Sequence, residues 1–198
     1  MKENKHTDMC GNTIKINAVI AIDPGISNGG IAIYRPGYPV KAVKMPRDIT
    51  DLADFLSYYK EISNPIIFLE KLSVRPDDVG VGPDGKPNMG KIFRIQKMMA
   101  NFEHLKALIE TAGIPYVMVH PRKWMCYLNL VQKGVKEEKA ERKRRYASKA
   151  GELYPGVKVT LWNADALLIM HFARIVLVND LSWVRANLPS REHNKLFE

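Results

Sequence analysis

The chain is poor in cysteine, has no long apolar run and holds fewer acids than bases, and each shortage excludes something. Its two cysteines, Cys10 and Cys126, are too few and too separated for a disulfide framework or a zinc cluster, so a reducing interior is the simplest home. No apolar stretch approaches the length of a membrane span, and residues 1–15 are polar without the apolar core of a signal peptide, so no membrane partner is expected. Internal repeats and low-complexity segments are also missing. The shortage of acid is the most informative: 30 Lys and Arg stand against 21 Asp and Glu, for a net charge of +9. Such an excess favours a polyanionic partner, nucleic acid before membrane. It is also concentrated, since residues 122–149 hold ten Lys or Arg against three Glu, which accounts for seven of the nine positive charges.

What is present is organised around residues 18–33. Ala18 to Ile22 are five consecutive apolar residues, three of them β-branched, and read as a strand buried on both faces that stops at Asp23. Pro24 and Gly25 turn the chain, Gly29 and Gly30 allow a second backbone to pass closely, and Ile31 to Tyr34 resume a strand, so the segment reads as a tight hairpin presenting one acid. A third strand is expected over 40–45. A helix follows, capped by Asp48 or Thr50, with Leu52, Phe55, Leu56 and Tyr59 at helical spacing. Residues 65–70 repeat the opening pattern, a buried strand ending in an acid, Glu70.

Residues 72–90 form the longest irregular stretch, which in a small domain is functional or disordered. From Lys91 to Ala112 a long helix is expected, with Ile92, Ile95, Met99, Phe102, Leu105 and Ile109 on one stripe for core or dimer surface, ended by Gly113. A fifth strand over 114–119 is closed by His120-Pro121. Then come a basic and aromatic segment, 122–128, a Lys/Arg-rich helix over about 136–153, and a last helix starting near Asn163 that carries Asp165. The expectation is an α/β fold, a mixed five-stranded sheet flanked by helices, in one domain over 16–180 between a flexible N-terminal tail, 1–15, and a C-terminal tail, 181–198.

If the first and fourth strands lie side by side with the last helix across them, Asp23, Glu70 and Asp165 converge at one edge. Taken singly, each acid has a plainer reading: Asp23 bonding its own turn, Glu70 paired with Lys71, Asp165 at a helix N-terminus. Together they repel unless cations neutralise them. Oxygen ligands without a His or Cys set select Mg²⁺ or Mn²⁺, and two such ions suit in-line phosphodiester displacement. A basic, aromatic-bearing arm adds phosphate contacts and stacking. The residues therefore point to a metal-dependent nuclease.

Five segments in this order resemble the RuvC family of Holliday-junction resolvases, in particular its phage and prophage branch: 21–30, 66–71, 119–124, 134–155 and 163–169. The likeness spans roughly residues 16–178. It implies a ribonuclease H-like fold and a homodimeric endodeoxyribonuclease that resolves four-way DNA junctions with Mg²⁺, two ions per subunit and Mn²⁺ able to substitute, in the cytoplasm and nucleoid of a bacterial or phage-infected cell. By position, Asp23, Glu70 and Asp165 are the implied metal ligands, and Lys136 faces the scissile phosphate. The helix over 91–112 supplies much of the dimer contact. Arg122, Lys123, Lys139, Arg142, Lys143, Arg144 and Arg145 are the expected DNA-binding cations.

One departure stands out: cellular members place a further Asp or His three residues before the closing-helix acid, where this chain has Trp162. Asn163 can offer only a neutral oxygen, which weakens the expected second ion, and His171 is on the wrong face of the helix to substitute. Two alternatives share all these residues: a related nuclease acting on flaps, forks or hybrids, and a branched-DNA-binding module that cuts weakly. An actin-like phosphotransferase also begins with Asp23, Gly25 and Ser27 in this pattern, but needs a second Gly-rich phosphate turn and about twice this length.

Overall fold

The computed structural model describes residues 5–7, 13–25, 29–74, 76–80, 85–131 and 137–189. The strand at 18–23 lies at the centre of the sheet because its side chains can be buried on either face. β3 (Ala18–Asp23) is buried at all six positions. It pairs antiparallel with β4 (Gly30–Tyr34), Asp23 opposite Gly30, and parallel with β6 (Pro65–Glu70), Ile22 beside Leu69. β5 (Lys41–Lys44) continues the meander on β4, and β7 (Tyr116–Val119) lies parallel to β6 with Val119 beside Glu70. The sheet order is β5-β4-β3-β6-β7. A meander of three strands extended by two parallel crossover strands, only β4 opposed to the rest, is the ribonuclease H-like arrangement.

Parallel strands require crossovers, and helices supply them. α1 (Ile49–Ile62) carries the chain from β5 to β6; the Asp48 side chain caps it by accepting from Thr50 N at 2.7 Å. α2 (Pro76–Val79) is a short turn inside the long connection, and α3 (Met89–Ala112) returns the chain to β7, ending at Gly113 in the left-handed conformation, φ 63°. These helices cover one face: Leu52, Leu56 and Tyr59 of α1 and Phe102, Leu105 and Ile109 of α3 bury Ile20, Ile22, Ile31, Ile33, Ile67 and Leu69. The alternate residues Val19, Ala21, Ala32, Ile66 and Phe68 face the other way.

That second face is covered by α4 (Pro121–Tyr127), α5 (Lys139–Leu153) and α6 (Ala164–Asn179). α6 is apolar on nearly every side and is buried from Ala164 to Met170, as expected of a helix sandwiched between the sheet and other helices. Ala21 and Ala32 present small side chains to this layer. Gly30 is required for the same approach: a Cβ there would lie 2.6 Å from the carbonyl oxygen of Trp162, in the loop that leads into α6.

The expected elements differ from these in places. The fifth strand begins at Tyr116 rather than 114, and the basic helix begins at Lys139, three residues after the start expected for it. The basic and aromatic segment forms a separate helix, α4, started by Pro121 at its first position and by the His120 side chain, which accepts from Arg122 N at 3.3 Å. Both regions read as tails contain structure. β1 (Lys5–Thr7) and β2 (Thr13–Lys15) pair antiparallel. α7 (Leu181–Ala186), capped by the Asp180 side chain, buries Leu181 and Val184, and Leu188 joins them in the α6 core cluster. Among the described residues no helix is long and apolar enough to cross a membrane.

Candidate active site

Asp23 and Glu70 occupy the C-terminal ends of adjacent parallel strands, so the register that pairs Ile22 with Leu69 brings both acids to one edge. α6 crosses that edge with its first turn, which places Asp165 beside them. Asp23 is 8% exposed and accepts from Gly25 N at 3.3 Å through Oδ1. Glu70 accepts the indole N–H of Trp124 at 3.0 Å. Asp165, also 8% exposed, accepts from the Lys143 ammonium through Oδ2, whereas its Oδ1 is buried without a partner.

The electrostatics follow from burying like charges together. The Asp23 carboxyl is pushed up to about 7, first by burial and then by the charge of Asp165, with Lys143 and the Gly25 N–H opposing. Glu70 is pushed up to about 8, again by burial first, then by Asp23 and Asp165, with the Trp124 N–H and Lys143 opposing. Both values lie above those of the unfolded chain, so between about pH 4 and pH 8 the folded chain holds more protons than the unfolded one. Stability of the metal-free protein is therefore expected to fall by several kcal/mol as pH rises through that window, and to level off above it. Urea unfolding at pH 5 and pH 8 in a chelator measures this; Glu70→Gln should flatten the slope, and an equal slope in that variant would show that Glu70 is not the group responsible.

The three acids lie close enough to act on one another's charge, and two further side chains join them. Lys143, expected on the DNA, is turned into the acidic cluster with a side chain 26% exposed. Trp124, the tryptophan of the basic and aromatic segment 122–128, is 1% exposed and donates to Glu70. The signal for Trp124 was available: it follows β7 by one helical turn, and β7 is the neighbour of β6. Lys143 carried no such signal, because only the packing of α5 on α6 brings it to Asp165.

The basic residues divide by helical geometry. Arg142 to Arg145 sweep roughly 300° around α5 and cannot share a face. Arg145 is held within the protein, forked onto Glu137 at 2.7 and 2.8 Å and donating to the Leu130 carbonyl at 2.9 Å. Lys139, Arg142 and Arg144 remain exposed on α5, as do Arg122 and Lys123 on α4, where the Lys123 ammonium lies 5.2 Å from the Trp183 ring centre. Lys136 lies outside the described residues.

Asn163 does not offer its oxygen to the site. Its Oδ1 accepts from Thr160 N at 2.7 Å and its Nδ2 donates to the Lys158 carbonyl at 3.0 Å, which ties down the loop before α6. His171 lies 3.2 Å from the Tyr154 hydroxyl, away from the acids. Among the described residues no three His, Cys, Asp or Glu side chains are already gathered as a metal ion needs; the Lys143 ammonium sits among the carboxylates instead. The donor chemistry nevertheless suits a hard divalent cation: oxygen ligands only, and one buried carboxylate oxygen with no hydrogen bond.

Fold and site together define a ribonuclease H-like α/β protein with an acidic cluster at the sheet edge. No protein-family model matches the chain, and neither does any curated protein. Several solved structures are similar to it, two of them being forms of one protein. One, Thermus thermophilus RuvC, is 14% identical with a TM-score of 0.47, over 86% of this chain and 98% of that one. The other, T. thermophilus RuvC in complex with Holliday junction substrate, is 16% identical with a TM-score of 0.48, over 80% of this chain and 95% of that one. At these values the likeness carries no conclusion about activity, and the fold assignment rests on the strand order.

Proposed function

We propose that this chain is a metal-dependent, structure-specific DNA endonuclease of the RuvC type, phage and prophage branch, that resolves four-way junctions by symmetric phosphodiester hydrolysis as a homodimer. The observation that carries this reading is the meeting of Asp23, Glu70 and Asp165 at one sheet edge, with the Asp23 and Glu70 carboxyls raised first by burial and then by the neighbouring acids. Such a cluster gains stability when a cation enters it, and Mg²⁺ or Mn²⁺ is the cation its oxygen donors select. Asp23, Glu70 and Asp165 would hold the metal, which when bound supplies an activated water and charge neutralisation at the leaving oxygen. The protein's own part is to fix the carboxylates on rigid strand ends and to aim Glu70 through the Trp124 N–H. Exposed cations on α4 and α5 flank the site and would meet the phosphate backbone.

Cleavage of labelled four-way junctions, beside duplex, flap and RNA:DNA hybrid substrates in Mg²⁺ and in Mn²⁺, tests the reading. Paired symmetric nicks confined to the junction support it, and cleavage only of flaps or hybrids assigns a different substrate to the same cluster. The second reading, a branched-DNA-binding module that cuts weakly, is favoured by Lys143 standing among the acids and by Trp162; tight junction binding without cleavage in either metal would establish it. Removing the charges of Lys139, Arg142 and Arg144 together should weaken binding to all DNA shapes and reduce the slope of affinity against salt by about two to three. An unchanged slope would remove α5 from the phosphate contacts.

A further inference from the structure

The surroundings of Asp165 bear on how many cations the site takes. α6 contributes a single carboxylate: Trp162 supplies no ligand oxygen from its side chain, and both polar atoms of Asn163 are engaged by Thr160 and Lys158. Asp165 is divided in its bonding, Oδ2 to the Lys143 ammonium and Oδ1 buried without a partner. The Lys143 charge acts on Asp23 and Glu70 as well as on its own partner. α5, which carries Lys143, is held at several points: Arg145 on Glu137 and Leu130, the Tyr146 hydroxyl on Met125 Sδ at 2.7 Å, and Ala150 fully buried.

Charge then limits occupancy. To hold a cation the three carboxyls must all give up their protons, and they then carry three negative charges; with one ammonium already among them, a single divalent ion completes neutrality. A second would leave a partly buried site with surplus positive charge and no carboxylate to accept it. We infer that this chain, on the nuclease reading above, takes one divalent cation per site, held by Asp23, Glu70 and the free Oδ1 of Asp165, with the Lys143 ammonium standing where a second cation would otherwise be needed. An ammonium has three donors, and at 26% side-chain exposure Lys143 keeps access from solvent to a phosphate oxygen while bonded to Asp165. The residue thus changes from a generic DNA contact into part of the site's permanent charge.

Manganese added to the metal-free full-length protein, followed by equilibrium dialysis and electron paramagnetic resonance, reads the occupancy without any cleavage assay. The expected result is one Mn²⁺ per chain with the spectrum of an isolated ion, and a second ion with the broadened spectrum of a coupled pair in Lys143→Met. Two coupled ions in the unaltered protein would overturn the inference and leave the nuclease reading standing. One ion in both proteins would also overturn it, since Lys143 would not be what excludes the second. Absence of binding, or binding indifferent to Asp23→Asn, would remove the metal-nuclease reading itself. Should Lys143→Met fail to fold, the occupancy of the unaltered protein still decides between one ion and two.

Discussion

Asp23→Asn is expected to lower junction cleavage on the order of a thousandfold while leaving junction binding unchanged or tighter. The substitution keeps the shape of the side chain and its acceptor for Gly25 N, a contact of 3.3 Å. It removes the charge on a buried acid beside Asp165 and Lys143, an acid that on the proposed mechanism holds the cation. The loss should appear in the chemical step, because the site is formed by strand ends that do not depend on the charge for their register. Binding should not suffer, since one negative charge facing the DNA has gone. Single-turnover cleavage and electrophoretic binding with the same junction separate the two effects. Comparable cleavage rates in the variant and the unaltered protein would sink the assignment of Asp23, and a parallel loss of binding would move its role from chemistry to recognition.

Replacing Trp124 should have the largest effect on stability, about 3–5 kcal/mol for Trp124→Ala. The side chain is 1% exposed and meets the Tyr146 ring edge-on at 5.6 Å between centroids, and its N–H is the hydrogen bond the structure shows on Glu70. Truncation would open a cavity between the sheet and α5 and leave a buried carboxyl unaided. Trp124→Phe distinguishes the two contributions: it fills most of the volume but cannot donate. That variant should lose about 1–2 kcal/mol and push Glu70 further up, since the Trp124 N–H is one of the influences that lower it. On the proposed function, its pH–rate profile should move to higher pH. Urea unfolding together with the pH profile checks both. If Trp124→Phe kept the original profile, Trp124 would be packing alone and would not orient Glu70.

The central strand and its acid were legible from residues 18–23 because a continuous β-branched run between turn residues has few other ways to be buried. The same held for residues 65–70. Parallel pairing of these two strands then carried Asp23 and Glu70 to one edge, and the apolar α6 could pack nowhere but across them. Element ends were less legible. Leu181, Val184 and Leu188 are buried but separated by polar residues in a segment too short to show a strong period. α4 is a helix of seven residues, and its apolar face is largely the one Trp.

The basic run from Arg142 to Arg145 shows where reading in one dimension stops. As sequence it is four equal cations. As a helix it distributes them around an axis, and the neighbours of each direction decide its use: Glu137 takes Arg145, Asp165 takes Lys143, and solvent takes Arg142 and Arg144. Trp162 and Asn163 were visible as a departure, but only the loop geometry showed that the Asn163 oxygen is occupied by Thr160. By itself the sequence determined the five strands of the main sheet, its four longer helices and the three acids at their ends, since these follow from local periodicity and from where apolar runs end. Which cation answers those acids was decided only by the tertiary structure. Charge neutralisation depends on distances between segments far apart in the chain, here Lys143 on α5 and Asp165 on α6, and no local pattern encodes them.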